Sequence, residues 1–239
     1  YVGRLGFKLK VPGDYEASTT KFPSGSMLLD RMLLCTDADF TVYRRPLTGQ
    51  VIQTHRRFLV TGATRGIGLC VVKALAGQQG HTVYLGCRRL SDGEELAAAL
   101  GPNVVPVQLD VTDQASMQAA RAQILAKGAT LDALVNNAGV LLERNGVELT
   151  SIIEPTFRTN FDGAVAASAA FLPLIREGGQ IVMVSSGAGV RAAGKLNEEV
   201  RAKLLAAKNT SELRILALQL AEMTCAPTEL SKLKPCDTP

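Results

Sequence analysis

The segment from Phe58 to Gly68 constrains the fold of this 239-residue chain more than any other stretch. Phe58–Val60 has the apolar character of a buried strand end, and the sequence Thr-Gly-Ala-Thr-Arg-Gly-Ile-Gly follows it directly. Leu69–Ala76 then carries apolar side chains at helical spacing. A strand, a glycine turn and a helix in this order form the context that a dinucleotide-binding site needs.

Each glycine of this turn has its own expected purpose. We expect Gly62 to permit a tight turn, Gly66 to let the backbone approach a pyrophosphate, and Gly68 to let the helix pack closely against the strand. The helix N-terminus offers free N–H groups and a partial positive charge to phosphate oxygens. Taken alone, the spacing also fits a strand–helix turn that binds nothing. The predicted ligand contacts in the turn are Gly62, Thr64, Arg65, Gly66, Ile67 and Gly68.

A second motif strengthens the dinucleotide interpretation. The sequence Asn-Asn-Ala-Gly at 136–139, taken with the glycine turn, resembles the short-chain dehydrogenase/reductase family. Arg158–Gly163, Phe171–Arg176 and Ile181–Ser186 are most similar to the carbonyl reductase branch of that family, and the resemblance runs from about Phe58 to Met223. It implies that the cofactor ribose is lined by Asn137, Ala138 and Gly139, and that the adenine is contacted by Asp110 and Val111.

Alternating strand and helix patterns predict an α/β fold with a doubly wound, Rossmann-like parallel sheet of strand order 3-2-1-4-5. Strands are expected at 56–60, 82–86, 104–109, 131–135 and 180–185, and helices at 69–76, 92–100, 113–127 and 151–176. Two further amphipathic helices are expected between Leu196 and Met223, with Asn197 and Thr210 as N-caps. The resemblance implies that the final strands of the family's sheet are missing.

The chain divides into three expected regions. Residues 1–54 form a poorly ordered or irregular extension, residues 55–190 an NADP-binding domain, and residues 191–239 a helical insertion followed by an irregular tail. A targeting role for the extension is the weaker alternative, because acidic residues are unusual in transit peptides.

The end of the second predicted strand indicates which nicotinamide cofactor fits. In Rossmann units an acidic residue there holds the ribose 2′-hydroxyl, whereas a basic residue accommodates a 2′-phosphate. Cys87 occupies the place of the acid, Arg88 and Arg89 follow it, and Arg65 adds a positive charge from the glycine turn. We therefore expect NADP(H), with Arg65 and Arg88 as its ligands. The alternative is a solvated strand end.

Only the resemblance identifies candidate catalytic residues. It implies that Asn160 supports a proton relay and that Ser186 hydrogen-bonds the substrate oxygen. The family's catalytic tyrosine has no counterpart here, because the four tyrosines all precede Ser186. One interpretation is a relic, with Glu199 in place of the tyrosine and Lys203 four residues on. The more economical one is a helical insertion like that of the carbonyl reductases, with the tyrosine expected beyond Pro239.

The amino-acid composition limits the kinds of partner that we expect this protein to bind. The net charge of +4 and the lack of a basic run argue against nucleic acid, and no apolar run reaches membrane-spanning length. Five cysteines without metal-ligand spacing predict no metal and a reducing, cytoplasmic location, organellar targeting by the extension being left open. The predicted function is NADP-dependent reduction of a small-molecule ketone, aldehyde or quinone. The alternative is a catalytically inactive NADP-binding or scaffold protein.

Overall fold

A computed structural model of the chain describes residues 16–20, 40–44, 55–143 and 147–225. One sheet of seven strands forms its centre. The strands are β1 (Glu16–Thr20), β2 (Phe40–Arg44), β3 (Arg56–Val60), β4 (His81–Cys87), β5 (Val104–Gln108), β6 (Leu131–Asn136) and β7 (Ile175–Val184). Across the sheet their order is β1-β2-β7-β6-β3-β4-β5.

The strands from β3 to β7 confirm the predicted parallel sheet. β3 pairs in parallel with β4 and β6, β4 pairs with β5, and β6 pairs with β7. Numbered among themselves, these strands have the predicted order 3-2-1-4-5. β3 lies in the middle, and Leu59 faces one side of the sheet while Phe58 and Val60 face the other. This alternation explains why the end of β3 is apolar at every position.

The N-terminal region differs from its expected irregular character at two segments. β1 pairs antiparallel with β2, and β2 pairs antiparallel with β7, so both belong to the central sheet. β2 has the sequence Phe-Thr-Val-Tyr-Arg, rich in the aromatic and β-branched residues that favour strands. The strand β7 with which it pairs lies far along the chain, which local sequence does not reveal. The rest of residues 1–54 lies outside the described residues.

Helices cover both faces of the sheet. They are α1 (Gly66–Ala76), α2 (Leu90–Leu100), α3 (Gln114–Ala126), α4 (Leu149–Phe157), α5 (Gly163–Phe171), α6 (Gly187–Lys195), α7 (Glu198–Ala206) and α8 (Thr210–Cys225). α1 and α2 pack on one face, with Val72 fully buried, and α3 and α5 pack on the other, with Phe171 fully buried. The two-sided cover is the doubly wound arrangement that the sequence predicts.

The long helix predicted from 151 to 176 is interrupted. A π-helical turn, Arg158–Asp162, separates α4 from α5, and β7 already begins at Ile175. Pro155 within α4 has no N–H to donate, and its carbonyl accepts a hydrogen bond from the Thr159 hydroxyl at 3.3 Å. Local departures from the regular helical bonding pattern of this kind are frequent at functional sites.

The helices after β7 form a packed unit. Val200 and Leu204 of α7 meet Leu213 and Leu216 of α8 in a small apolar cluster, against which Phe161 of the π-helical turn also packs. This agrees with the two amphipathic helices predicted for the region, and α6 is an additional helix. No strand follows β7 within the residues described up to 225, and the expected irregular tail lies beyond them. None of the described helices is long and apolar enough to cross a bilayer.

Candidate functional site

The glycine turn between β3 and α1 has the backbone conformation that only glycine adopts easily. Gly62 has φ +62° and Gly66 has φ +56°. A Cβ on Gly62 would lie 2.8 Å from the Cα of Ala138, so a side chain is excluded there. A Cβ on Gly66 would meet nothing within 4 Å. Gly66 therefore presents bare backbone to open space, as a site for a phosphate requires.

Gly68 makes room for a side chain of the second motif. A Cβ at this position would overlap Nδ2 of Asn137 and would lie 2.6 Å from the Gly62 carbonyl oxygen. From the sequence we expect Gly68 to allow close packing of helix and strand. The structure gives a more specific reason, since the space above Gly68 is filled by the Asn137 amide.

Thr61 connects the glycine turn to the Asn-Asn-Ala-Gly motif through hydrogen bonds, and it is not among the predicted site residues. The Thr61 hydroxyl accepts hydrogen bonds from the backbone N–H groups of Asn137 and Ala138, each at 3.0 Å. It also lies 3.3 Å from the Val135 carbonyl, to which it donates. Thr61 is 1% exposed. The signal in the sequence that could have identified Thr61 is a single hydroxyl residue next to an apolar strand end, because a buried hydroxyl needs a hydrogen-bond partner.

The start of α1 fits an anion. Arg65 occupies the N-cap position in an extended conformation, its side chain makes no capping hydrogen bond, and the first turn carries no acidic residue. The first N–H groups of α1 therefore lack a side-chain cap, and the helix dipole favours negative charge there. Arg65, Gly66 and Ile67 are exposed, and Thr64 is half-buried. The predicted phosphate ligands thus surround an accessible helix N-terminus.

The two arginines that follow β4 have different environments. Arg89 donates to the Asp92 carboxylate at 3.0 Å from Nε and is held there as an ion pair. Arg88 is exposed, and its side chain forms no ion pair within the part of the chain that the structure describes. Burial raises the pKa of Cys87, whose thiol donates to the Val107 carbonyl at 3.4 Å. Of these two arginines, Arg88 is therefore the one whose side chain remains available to a ligand.

The residues predicted to contact adenine are engaged in a local turn. The Asp110 carboxylate accepts hydrogen bonds from the Thr112 N–H at 2.9 Å and from the Thr112 hydroxyl at 2.7 Å. Val111 is buried, and its Cγ2 would lie 2.7 Å from a Cβ on Gly163. These contacts hold the backbone after β5 in one conformation. A contact of Asp110 and Val111 with adenine stays a prediction.

Asn160 positions the loop that follows β6. Its Oδ1 accepts from the Val140 N–H at 2.7 Å, and its Nδ2 donates to the Val140 carbonyl at 2.9 Å. The side chain is therefore occupied by backbone on both sides. Asn160 lies in the π-helical turn, and a Cβ on Gly139 would come within 3.4 Å of its Oδ1. A role in a proton relay stays a prediction.

Ser186 lies at the same edge of the sheet as the glycine turn. The parallel pairing of β6 and β7 places Asn136 beside Met183, so Asn137 and Ser186 both follow the carboxyl ends of neighbouring strands. Ser186 is the N-cap of α6, and its hydroxyl oxygen accepts from the Ala188 N–H at 3.2 Å. The hydroxyl hydrogen is not used in that bond. Ser186 is exposed and can donate to a ligand oxygen.

Glu199 is a surface residue of α7. Its side chain is 76% exposed and forms an ion pair with Lys203 at 2.8 Å, one helical turn away. The hydrogen bond from Lys203 lowers the pKa of Glu199 below its ordinary value. A carboxyl group that is ionised at neutral pH is a poor proton donor there. This geometry argues against Glu199 as a replacement for the tyrosine, while the insertion interpretation stays a prediction.

The described residues contain no group of three or more His, Cys, Asp or Glu side chains that could hold a metal ion. The chemistry of the site is instead that of exposed backbone N–H groups, two arginines, amides and a hydroxyl. These groups suit a phosphorylated cofactor and a polar substrate oxygen.

Comparison with known proteins agrees with this description. The family described as short chain dehydrogenase matches residues 56–197. The NADP-dependent 3-hydroxy acid dehydrogenase YdfG of Escherichia coli K12 is 38% identical over 135 residues, which cover 55% of this chain and 54% of that protein. Carbonyl reductase (NADPH) 1 of Sus scrofa is 34% identical over 160 residues, covering 64% of this chain and 55% of that protein. The matches thus span little more than half the length of these relatives.

A solved structure with the same kind of match is the NADPH-bound carbonyl reductase from chicken fatty liver. It is 36% identical to this chain, with a TM-score of 0.44, and the match covers 50% of this chain and 51% of the other.

Proposed function

This chain belongs to the short chain dehydrogenase family, and on that premise we propose that it is an NADP-dependent oxidoreductase acting on a small-molecule ketone, aldehyde or quinone. The observation that carries the proposal is that the glycine turn, the Asn-Asn-Ala-Gly motif and Ser186 lie at the same edge of the sheet. In open α/β sheets, ligands bind at the carboxyl ends of the strands. The relatives named above support NADP as the cofactor.

The residues present fit an NADP molecule. Bare backbone at Gly66 and the uncapped start of α1 would hold the pyrophosphate, and Arg65 with Arg88 would hold the 2′-phosphate through their planar guanidinium groups. Asn137, Ala138 and Gly139 would line the ribose, and Asp110 with Val111 the adenine. When bound, the cofactor supplies the hydride.

Ser186 and Asn160 would then have separate tasks. The Ser186 hydroxyl donates to the substrate carbonyl oxygen and stabilises the negative charge that develops there. Asn160 holds Val140 by two hydrogen bonds and so fixes the loop beside the ribose-lining motif. We therefore treat Ser186 as a catalytic residue and Asn160 as a positioning residue.

A second candidate function is NADP binding without catalysis. Tyr84 is the one tyrosine whose side chain the structure describes, and it lies buried in β4, where burial raises its pKa. It cannot reach a substrate beside Ser186 from the interior of the sheet. Glu199 is exposed and ion-paired, which makes it an unsuitable donor. The lack of a proton donor among these described side chains favours slow turnover.

The deciding experiment follows NADPH oxidation by the purified chain with a quinone and with an activated ketone. The oxidoreductase proposal predicts substrate-dependent oxidation that Ser186→Ala lowers by roughly 10²–10³-fold, the size of one lost donor to a developing oxyanion. Glu199→Gln is the matched control and should leave the rate unchanged. NADPH binding without oxidation supports the second candidate, and the absence of binding contradicts both.

A further inference from the structure

A groove lies between α3 and α5, on the face of the sheet opposite α1 and α2. Its volume is about 490 Å³, and its lining includes Val111, Met117, Arg121, Arg158, Asp162 and Ala166. Met117 and Val111 are buried and form an apolar floor together with the alanine side of α5. The groove is thus apolar at its base and charged along its walls.

The charge in the groove is positive and only partly balanced. Arg121 is half-buried, and its Nε is shielded from water and has no hydrogen-bond partner among the described residues. Arg158 is exposed and supplies a second guanidinium group at the same groove. Asp162 also lines it, but both of its carboxylate oxygens accept from Nε of Arg214, at 2.7 and 2.8 Å. Arg214 also donates to the Glu154 carboxylate at 2.6 Å, so its single positive charge is shared and offsets the charge of Asp162 only in part. The guanidinium groups of Arg121 and Arg158 still outnumber the one carboxylate that lines the groove.

A buried guanidinium nitrogen without a partner is unfavourable, because it has lost water and gained no hydrogen bond. Such groups call for a physical reason, and a ligand is one that this surface can accommodate. The planar arginine fork matches a carboxylate with two parallel hydrogen bonds. An apolar floor beneath it suits a hydrocarbon chain, which inorganic phosphate lacks.

We propose that this groove binds a small carboxylate with an apolar chain, held by Arg121 and Arg158 over the Met117 floor. The site is separate from the proposed substrate position at Ser186. It has Val111 in common with the proposed adenine site, but the two arginines that would hold the carboxylate lie outside the proposed cofactor site, so the proposal does not depend on NADP binding. It assigns Arg121 to ligand binding and not to support of the fold.

The probe is octanoate, titrated calorimetrically into the full chain with and without added NADPH, and octanol is the uncharged comparison. We expect octanoate to bind and octanol to bind more weakly. Arg121→Met keeps an unbranched apolar stem and should weaken octanoate binding at least about tenfold, the size of one charge-assisted hydrogen bond. Arg121→Lys should retain more affinity than Arg121→Met, and Arg191→Met, an exposed arginine of α6, should have no effect.

A stability measurement distinguishes a ligand site from a structural role. Without ligand, Arg121→Met should keep or raise the melting temperature, because it removes an unsatisfied buried donor. A lowered melting temperature would make Arg121 a structural residue and overturn the proposal. Equal binding of octanoate and octanol, or equal losses in Arg121→Met and Arg191→Met, would also overturn it. So would a dimer that Arg121→Met dissociates, since a second copy would then occupy the groove.

Discussion

The Thr61 hydroxyl accepts a hydrogen bond from the Asn137 N–H at 3.0 Å, and the Asn137 amide donates to the Thr61 carbonyl at 2.9 Å. These residues are 76 positions apart in the chain. The reciprocal pair joins the ends of β3 and β6, so the glycine turn and the Asn-Asn-Ala-Gly motif are held together by hydrogen bonds.

Thr61→Val should destabilise the protein strongly although it preserves shape. It removes the acceptor for the N–H groups of Asn137 and Ala138, and each buried donor left unpaired costs about 1–3 kcal/mol. We expect the free energy of unfolding, measured with urea, to fall by roughly 2–4 kcal/mol. Thr150→Val, at an exposed position of α4, should change it by less than about 0.5 kcal/mol. Equal losses in the two variants would contradict the role given to Thr61.

Gly66→Ala and Gly128→Ala form a matched pair for the cofactor site. Gly66 has φ +56° and Gly128 has φ +60°, and a Cβ at either position meets nothing within 4 Å. Both variants should therefore lose a similar free energy of unfolding, about 1–2 kcal/mol from the left-handed backbone. Only the methyl group of Gly66→Ala enters the space assigned to the pyrophosphate, so only this variant should bind NADPH weakly. Similar NADPH affinities in both variants would place the cofactor elsewhere.

The pH dependence of stability should depend on His81. Burial lowers the pKa of His81 below its ordinary value of 6.5, and the hydrogen bond with the Leu75 carbonyl opposes this only in part. Between the lowered pKa and 6.5 the unfolded chain binds more protons than the folded one, so stability falls as the pH falls through this window. His81→Gln should reduce the loss of urea resistance between about pH 7.5 and about pH 5. His55→Gln, at an exposed position, is the control, and an equal effect of the two variants would refute the assignment.

The sequence predicts the parallel sheet and the glycine turn because both depend on local patterns. The alternation of apolar runs and amphipathic helices predicts the order of β3 to β7. The positive φ angles of the turn explain why glycine stands at positions 62 and 66. The partners of Thr61 and Asn160 were not predictable in the same way. Their hydrogen bonds join strand ends and loops that meet only after the sheet has formed.

The pairing of β2 and the interruption of the long helix are two further features that local sequence does not predict. β2 pairs with β7 across most of the chain, and no nearby turn signal in the sequence indicates that pairing. The π-helical turn replaces regular bonding where Asn160 reaches Val140 and where Arg214 of α8 binds Asp162. These are tertiary contacts, so the helical pattern in the sequence predicts a continuous helix there.

Calorimetric titration of the chain with NADPH and with NADH tests the cofactor assignment most directly. We predict tighter binding of NADPH, and a preference that Arg65→Ala and Arg88→Ala each reduce, by up to about 1.5–3 kcal/mol for a charge-assisted contact. Arg89→Ala, whose native side chain is already held by Asp92, should preserve the preference. Equal affinities for the two cofactors in the unmodified chain, or no binding of either, would contradict the account.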